Sequence, residues 1–102
     1  MGDVNIHKFS DFDSGNKSLS GVKKRIDDIL GMNIIILKYI IRPSKYEGEY
    51  IILQFKFYNS EDDDKYIIMT GSGVLLDQVD RNKHEIPFVA KIVKYQKYYT
   101  FE

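Results

Sequence analysis

Aromatic rings and basic side chains interleave at two places in this sequence. In "EYIILQFKFY", Tyr50, Lys56 and Tyr58 share one strand parity, and in "KIVKYQKYYTFE" Lys91, Lys94, Tyr95, Lys97 and Tyr98 fall close together. Lys38 and Arg42 in "NIIILKYIIR", with Lys45 and Tyr46 in the turn after it, add to the same chemistry. A surface of this kind stacks nucleobases on its rings while its cations neutralise phosphates. These twelve residues are therefore the expected contacts for a single-stranded nucleic acid. The same composition also suits a sheet wall with no ligand, because tyrosine favours half-buried strands and edge lysines discourage aggregation. The distribution of charge favours a ligand: the bases gather in the first two long strands and the last hairpin, and the acids crowd into "EDDD" at 61–64.

Catalytic groupings are absent from this pattern. His7 and His84 are the only histidines, each isolated in a polar stretch. The "EDDD" run lacks the spaced oxygen ligands and terminal Glu of a calcium loop, and reads as a solvated turn. "TGSG" at 70–73 offers backbone amides at a helix start, but no lysine follows it as in a phosphate-binding loop. The sequence thus predicts no enzyme, no metal site and no cofactor.

The elements that must position the rings follow from periodicity. "NIIILKYIIR", "EYIILQFKFY" and "KYIIMT" read as three strands in a meander, with Pro43 and the acidic turn as breaks. Ile51, Leu53, Phe55 and Phe57 alternate as an inward row, leaving Tyr50, Ile52, Gln54, Lys56 and Tyr58 outward. In the first of these strands Ile36, Lys38, Ile40 and Arg42 are expected on one side. "GSGVLLDQV" has helical spacing at Val74, Leu75, Gln78 and Val79, a capping Ser72 or Thr70, and a stop before Pro87. "FVAKIVKY" and "YYTF" are two more strands joined tightly at Gln96-Lys97. Phe88, Ala90, Ile92, Tyr99 and Phe101 are expected inside. The order β-β-β-α-β-β is that of an oligonucleotide/oligosaccharide-binding (OB) fold, a five-stranded Greek-key barrel. Before it, "SGVKKRIDDILG" predicts a short helix capped by Ser20 and ended by Gly31, and "VNIHKF" a short strand.

Composition supplies the frame. With 102 residues and 43% apolar content, the chain suits one core. Residues 1–20 are expected to be a flexible lead and 21–102 the domain. Fifteen basic and fifteen acidic side chains give zero net charge, so attraction for a polyanion must come from local segregation. Cysteine is absent, which suits a reducing compartment. With no leader-like start and no apolar run of spanning length, the sequence reads as a cytoplasmic protein without a membrane partner.

The run "IDDILGMNIIILKYIIRPSKYEGEYIILQF", then "IMTGSGVLLDQV" and "IPFVAKIVKYQKYYTF", resembles small single-stranded DNA-binding proteins carried by phages and other mobile elements of Gram-positive bacteria. The resemblance spans roughly residues 26–101. It implies an OB-like domain acting in replication or recombination, with partners such as a helicase or polymerase and the option of a homo-oligomer. A small β-domain that binds or inhibits another replication or defence protein is the alternative.

Overall fold

The computed structural model describes residues 19–45 and 47–102. Tyr46 and the strand expected at "VNIHKF" lie outside the described residues. Within them the chain is mainly β, with seven strands and one α-helix: β1 (Val22–Lys23), β2 (Ile34–Pro43), β3 (Glu49–Phe57), β4 (Tyr66–Thr70), α1 (Gly73–Arg81), β5 (Phe88–Ala90), β6 (Ile92–Tyr95) and β7 (Tyr98–Phe101). Five strands form one sheet in the order β1-β4-β3-β2-β5, and β6-β7 form a separate hairpin.

The alternation in β3 is realised as expected on its inner side. Ile51, Leu53 and Phe55 are fully buried, and Phe57 packs against them. Full burial of a phenylalanine or isoleucine side chain is worth about 1.5–3 kcal/mol, so this row anchors the sheet. The outer side departs from expectation, because Ile52 and Gln54 are also buried. Ser20 lies over Gln54 and accepts two hydrogen bonds from its Nε2, at 2.9 Å to the carbonyl and 3.2 Å to the hydroxyl.

β2 corrects the strict parity expected for it. Ile36 pairs with Phe55, but the next partner, Gln54, pairs with Lys38, so Leu37 is an extra residue in a bulge. A bulge reverses the side-chain alternation beyond it. Ile34 and Ile36 therefore point into the core, and after the bulge Tyr39 and Ile41 take over that role while Lys38, Ile40 and Arg42 lie on the other face. Ile36 does not share a face with Lys38.

The helix expected in "SGVKKRIDDILG" is replaced by other structure. Val22 and Lys23 pair in parallel with Tyr66 and Ile67 of β4, and only Ile26–Asp28 make a single 3₁₀ turn. Gly21 explains the choice. Its φ is +137°, and a Cβ there would lie 2.9 Å from the Lys65 carbonyl oxygen. Only glycine lets the chain approach β4 so closely. A helix would also have hidden Val22, which is 60% exposed. Ile29 still enters the core, and Gly31 takes the expected left-handed conformation, donating its N–H to the Ile92 carbonyl at 2.9 Å.

Ser72 caps α1 by accepting from the Leu75 amide at 3.2 Å, and Leu75 and Val79 are the buried side of the helix. Gln78 does unexpected work on the flank of α1. Its Oε1 accepts from the Phe101 amide and its Nε2 donates to Thr100 Oγ1, both at 2.9 Å. The helix thus occupies the outer edge of β7, and the strand ladders do not close into the expected barrel. The expected fourth strand is divided at Lys91 into β5, paired with β2, and β6, paired with β7. β5 covers only Ile34–Ile36 of β2, so the outer edge of β2 from Lys38 to Pro43 has no strand beside it among the described residues.

Candidate nucleic-acid interface

The expected contacts separate into groups with different surroundings. At one end of the sheet Arg42 pairs with Tyr50, and the turn beyond them, closed by Ser44 N to Gly48 O at 2.9 Å, carries Lys45. Ile51 pairs with Thr70, so Tyr50 lies one ladder step from Gly71. Thr70 to Val74 form one wall of a cleft of about 400 Å³, and Lys97, Tyr98 and Tyr99 form the other. Lys97 and Tyr98 thus line this cleft opposite the entry to α1, while Arg42 and Tyr50 lie at the same end of the sheet, beside the Ile51–Thr70 pair.

The tip is shaped by local geometry. Tyr95 pairs with Tyr98, and Gln96 between them takes φ +55°, closing the tight turn. Cross-strand pairing sets the two rings 6.1 Å apart between centroids, tilted by 44°, and each tyrosine remains 49% exposed. The Tyr95 hydroxyl reaches Glu102 Oε2 at 3.4 Å. Lys91 lies at the base of the hairpin, where its backbone exchanges two hydrogen bonds with Glu102. Tyr99, on the other face, donates its hydroxyl to Asp27 Oδ1 at 2.8 Å. That hydrogen bond, with help from burial and the carboxylate charge, raises the phenol above its usual pKa.

Three expected contacts are placed differently. Lys94 pairs with Tyr99 rather than flanking the exposed rings, and its ammonium lies 5.3 Å from the Tyr99 ring centroid. Lys56 is held by Asp63 at 3.1 Å. The hydrogen bond to Lys56, and then its charge, lowers the Asp63 carboxyl below its usual pKa. Tyr58 is exposed, but it lies just past the end of β3 beside the acidic turn, eight residues from Tyr50, or roughly 26 Å at strand rise. Lys38 is exposed on the outer face of β2, between the two ends.

The cleft itself was visible in sequence only as "TGSG". Ser72 N donates to Thr70 Oγ1 at 3.1 Å and Leu76 N to the Ser72 carbonyl at 3.0 Å, which fixes the shape of this wall. Gln78 and Ser20 were expected only as a helix position and a helix cap, and the long-range hydrogen bonds of Gln78, Asp27 and Ser20 had no signal in the sequence. Each acts through a partner at least 22 residues away, and no local pattern encodes that. Among the described residues there is no group of three or more metal-ligating side chains, and no helix is long and apolar enough to cross a membrane. Residues 20–102 match the model of a family described as a domain of unknown function (DUF8468). No curated protein and no solved structure matches the chain.

Proposed function

The chain belongs to the DUF8468 family, and from the chemistry of its cleft and hairpin we propose that it binds single-stranded DNA, with little sequence preference and no reaction of its own. The observation that carries this reading is the exposed Tyr95-Tyr98 pair beside the cleft. Two half-exposed rings held by a tight turn offer flat faces at a fixed spacing, and ring stacking on bases is worth roughly 1–3 kcal/mol per base. In this reading Lys97 beside Tyr98 and Lys91 at the base of the hairpin are phosphate partners, and Arg42, Lys45 and Tyr50 at the end of the sheet are further contacts. Every base has a π-face, so such a surface tolerates any sequence.

The strand order supports an OB-like reading of the architecture: β2 pairs with both β3 and β5, and α1 lies between the third and fourth long strands. In this reading the molecule is an open form of the Greek-key barrel, parted between β4 and β7 where the cleft lies. The resemblance to phage and mobile-element proteins extends the proposal to replication or recombination in the cytoplasm, beside a helicase or polymerase. A second reading, a module that binds or inhibits another protein, draws on the exposed apolar side chains Met69, Val74 and Val89.

Salt separates the two. Fluorescence anisotropy of labelled oligo-dT is expected to show binding that weakens steeply as salt rises, through counterion release. An apolar protein contact lacks that slope. Absence of binding at low salt by folded protein overturns the DNA reading.

A further inference from the structure

The two ends of α1 open onto cavities of opposite character. At its start, Lys97 faces Thr70 to Val74 across the cleft. At its other end lies a second cavity of about 340 Å³, lined by Gln78, Asn82, Glu85, Phe88 and Phe101. The helix has nine residues, so at helical rise the two cavities are roughly 13 Å apart along its axis.

The lining of the second cavity is rich in electrons. Phe88 and Phe101, both half-buried, meet edge to face with ring centroids 5.9 Å apart and planes at 85°. Gln78 spends both ends of its amide on β7. Asn82 gives its Nδ2 to the Gln78 carbonyl at 2.7 Å, which leaves its Oδ1 as an acceptor. Glu85 is loosely held: its Oε2 lies 3.5 Å from His84 Nε2, too far for a good hydrogen bond, and its side chain is 64% exposed. The neighbouring cations are engaged on α1, Arg81 by Asp77 at 2.8 Å and Lys83 by Asp80 at 3.6 Å. Among the described residues no basic side chain lines the cavity, and the last carbonyls of α1 add the partial negative charge of a helix end.

Such a lining selects its occupant. The Glu85 carboxylate repels the phosphates that Lys97 attracts, and a purely apolar group would gain nothing from it. A guanidinium suits both kinds of wall, because its flat face packs on an aromatic ring while its edge donates two parallel hydrogen bonds to a carboxylate. The volume is at the small end of the range for ligand cavities, with room for one side chain rather than a whole structural element.

We propose that this cavity receives an arginine side chain presented by a partner protein, with Phe88 and Phe101 against the guanidinium and Glu85 as its counter-charge. The proposal does not depend on DNA binding, and its test contains no DNA. The probe is the peptide Gly-Arg-Gly, blocked at both ends and titrated into the isotope-labelled full chain. Saturable shifts are expected in the amide signals of Gln78, Asn82, Glu85, Phe88 and Phe101, while those of Tyr95–Tyr98 stay in place. The same peptide with citrulline for arginine keeps the shape and loses the charge, and is expected to leave all of these signals unmoved. Glu85→Gln is expected to weaken binding about tenfold or more by removing a charged acceptor, with signals from β3 and β4 reporting an intact fold. Absence of saturable shifts at the cavity overturns the proposal, as does equal binding of the citrulline peptide or by the Glu85→Gln chain. So do shifts that gather at residues 61–64, because the peptide is then drawn to the acidic turn by charge alone.

Discussion

β3 carries a tyrosine near each end, each with a basic side chain close by, yet the two ends differ in what surrounds them. At Tyr50 the cation is Arg42, paired across the strand, and the next residue, Ile51, pairs with Thr70 of the cleft wall. At Tyr58 the cation is Lys56, already bonded to Asp63, and the neighbours are the acids of residues 61–64. One of those acids is engaged in the turn itself, since Asp62 Oδ1 accepts from the Asp64 backbone amide at 3.0 Å. The same residue types thus make a surface suited to a polyanion at one end and a self-neutralised surface at the other. Residue type proposes a contact, and the adjacent strand decides whether the charge is free to make it.

The comparison breaks most completely if the shared core between the ends is emptied. Phe55→Ala is expected to cost about 3–5 kcal/mol of stability, read from denaturant midpoints, because Phe55 is fully buried in the inner row of β3. A benign Phe55→Ala would mean that the two ends do not depend on a common scaffold.

Next in size is the contrast itself. Tyr50→Ala is expected to weaken oligo-dT binding by roughly 1–3 kcal/mol if its ring stacks a base, while Tyr58→Ala leaves affinity nearly unchanged. Equal losses at both positions would extend the interface over the whole outer face, and the reverse order would move it to the acidic end.

A smaller effect tests how the hairpin is held beside the cleft. Folding raises the Tyr99 pKa through its bond to Asp27. The contribution is therefore fully present below the unfolded-state value of about 10, and is lost as pH rises through the folded-state value. Tyr99→Phe should be less stable than the parent at neutral pH, with the gap in denaturant midpoints closing in alkali. A gap that stays constant with pH would assign the loss to packing rather than to the hydroxyl.

The smallest effect expected is at the neutralised end. Asp63→Asn releases Lys56, and oligo-dT affinity is expected to rise slightly with a steeper salt dependence. An unchanged salt slope would place Lys56 outside the path of the strand even when unpaired.

Much of this scaffold is legible in the sequence where one residue's environment is set by its immediate neighbours. The inner row Ile51, Leu53 and Phe55, the Ser72 cap and the turn at Gln96 follow from alternation, spacing and turn chemistry, and they are found as expected. The bulge at Leu37 is not legible. "NIIILKYIIR" is apolar on both parities, so nothing in it marks where one extra residue flips the faces. The helix expected after Ser20 fails for a related reason: its spacing was real, but the contact that decided the matter was Gly21 against Lys65, more than forty positions away. For the interface, the pairing of the Tyr95 and Tyr98 rings across the tight turn was foreseeable. The face of Lys94 was legible too, since it follows Ile92 by two residues and alternation puts both on one side; its pairing with Tyr99 was set by the register. The pairing of Lys56 with Asp63 was hidden likewise, since the sequence shows the acids as a turn and not as a counter-charge.

The parallel contact between β1 and β4 has a consequence in time as well as in space. It rests on two register pairs, Val22 with Tyr66 and Lys23 with Ile67, and it joins positions that the whole β2-β3-β4 meander separates. Closing so long a loop loses chain entropy before two pairs can repay it, so β2 and β3 should associate early and β1 dock late. By the same reasoning β1 is the first part of the sheet to let go. Brief detachment of residues 19–23 would bare Gln54 and the middle of the outer face while the hairpin with Tyr95 and Tyr98 stays assembled, giving the molecule a partly opened form well short of unfolding.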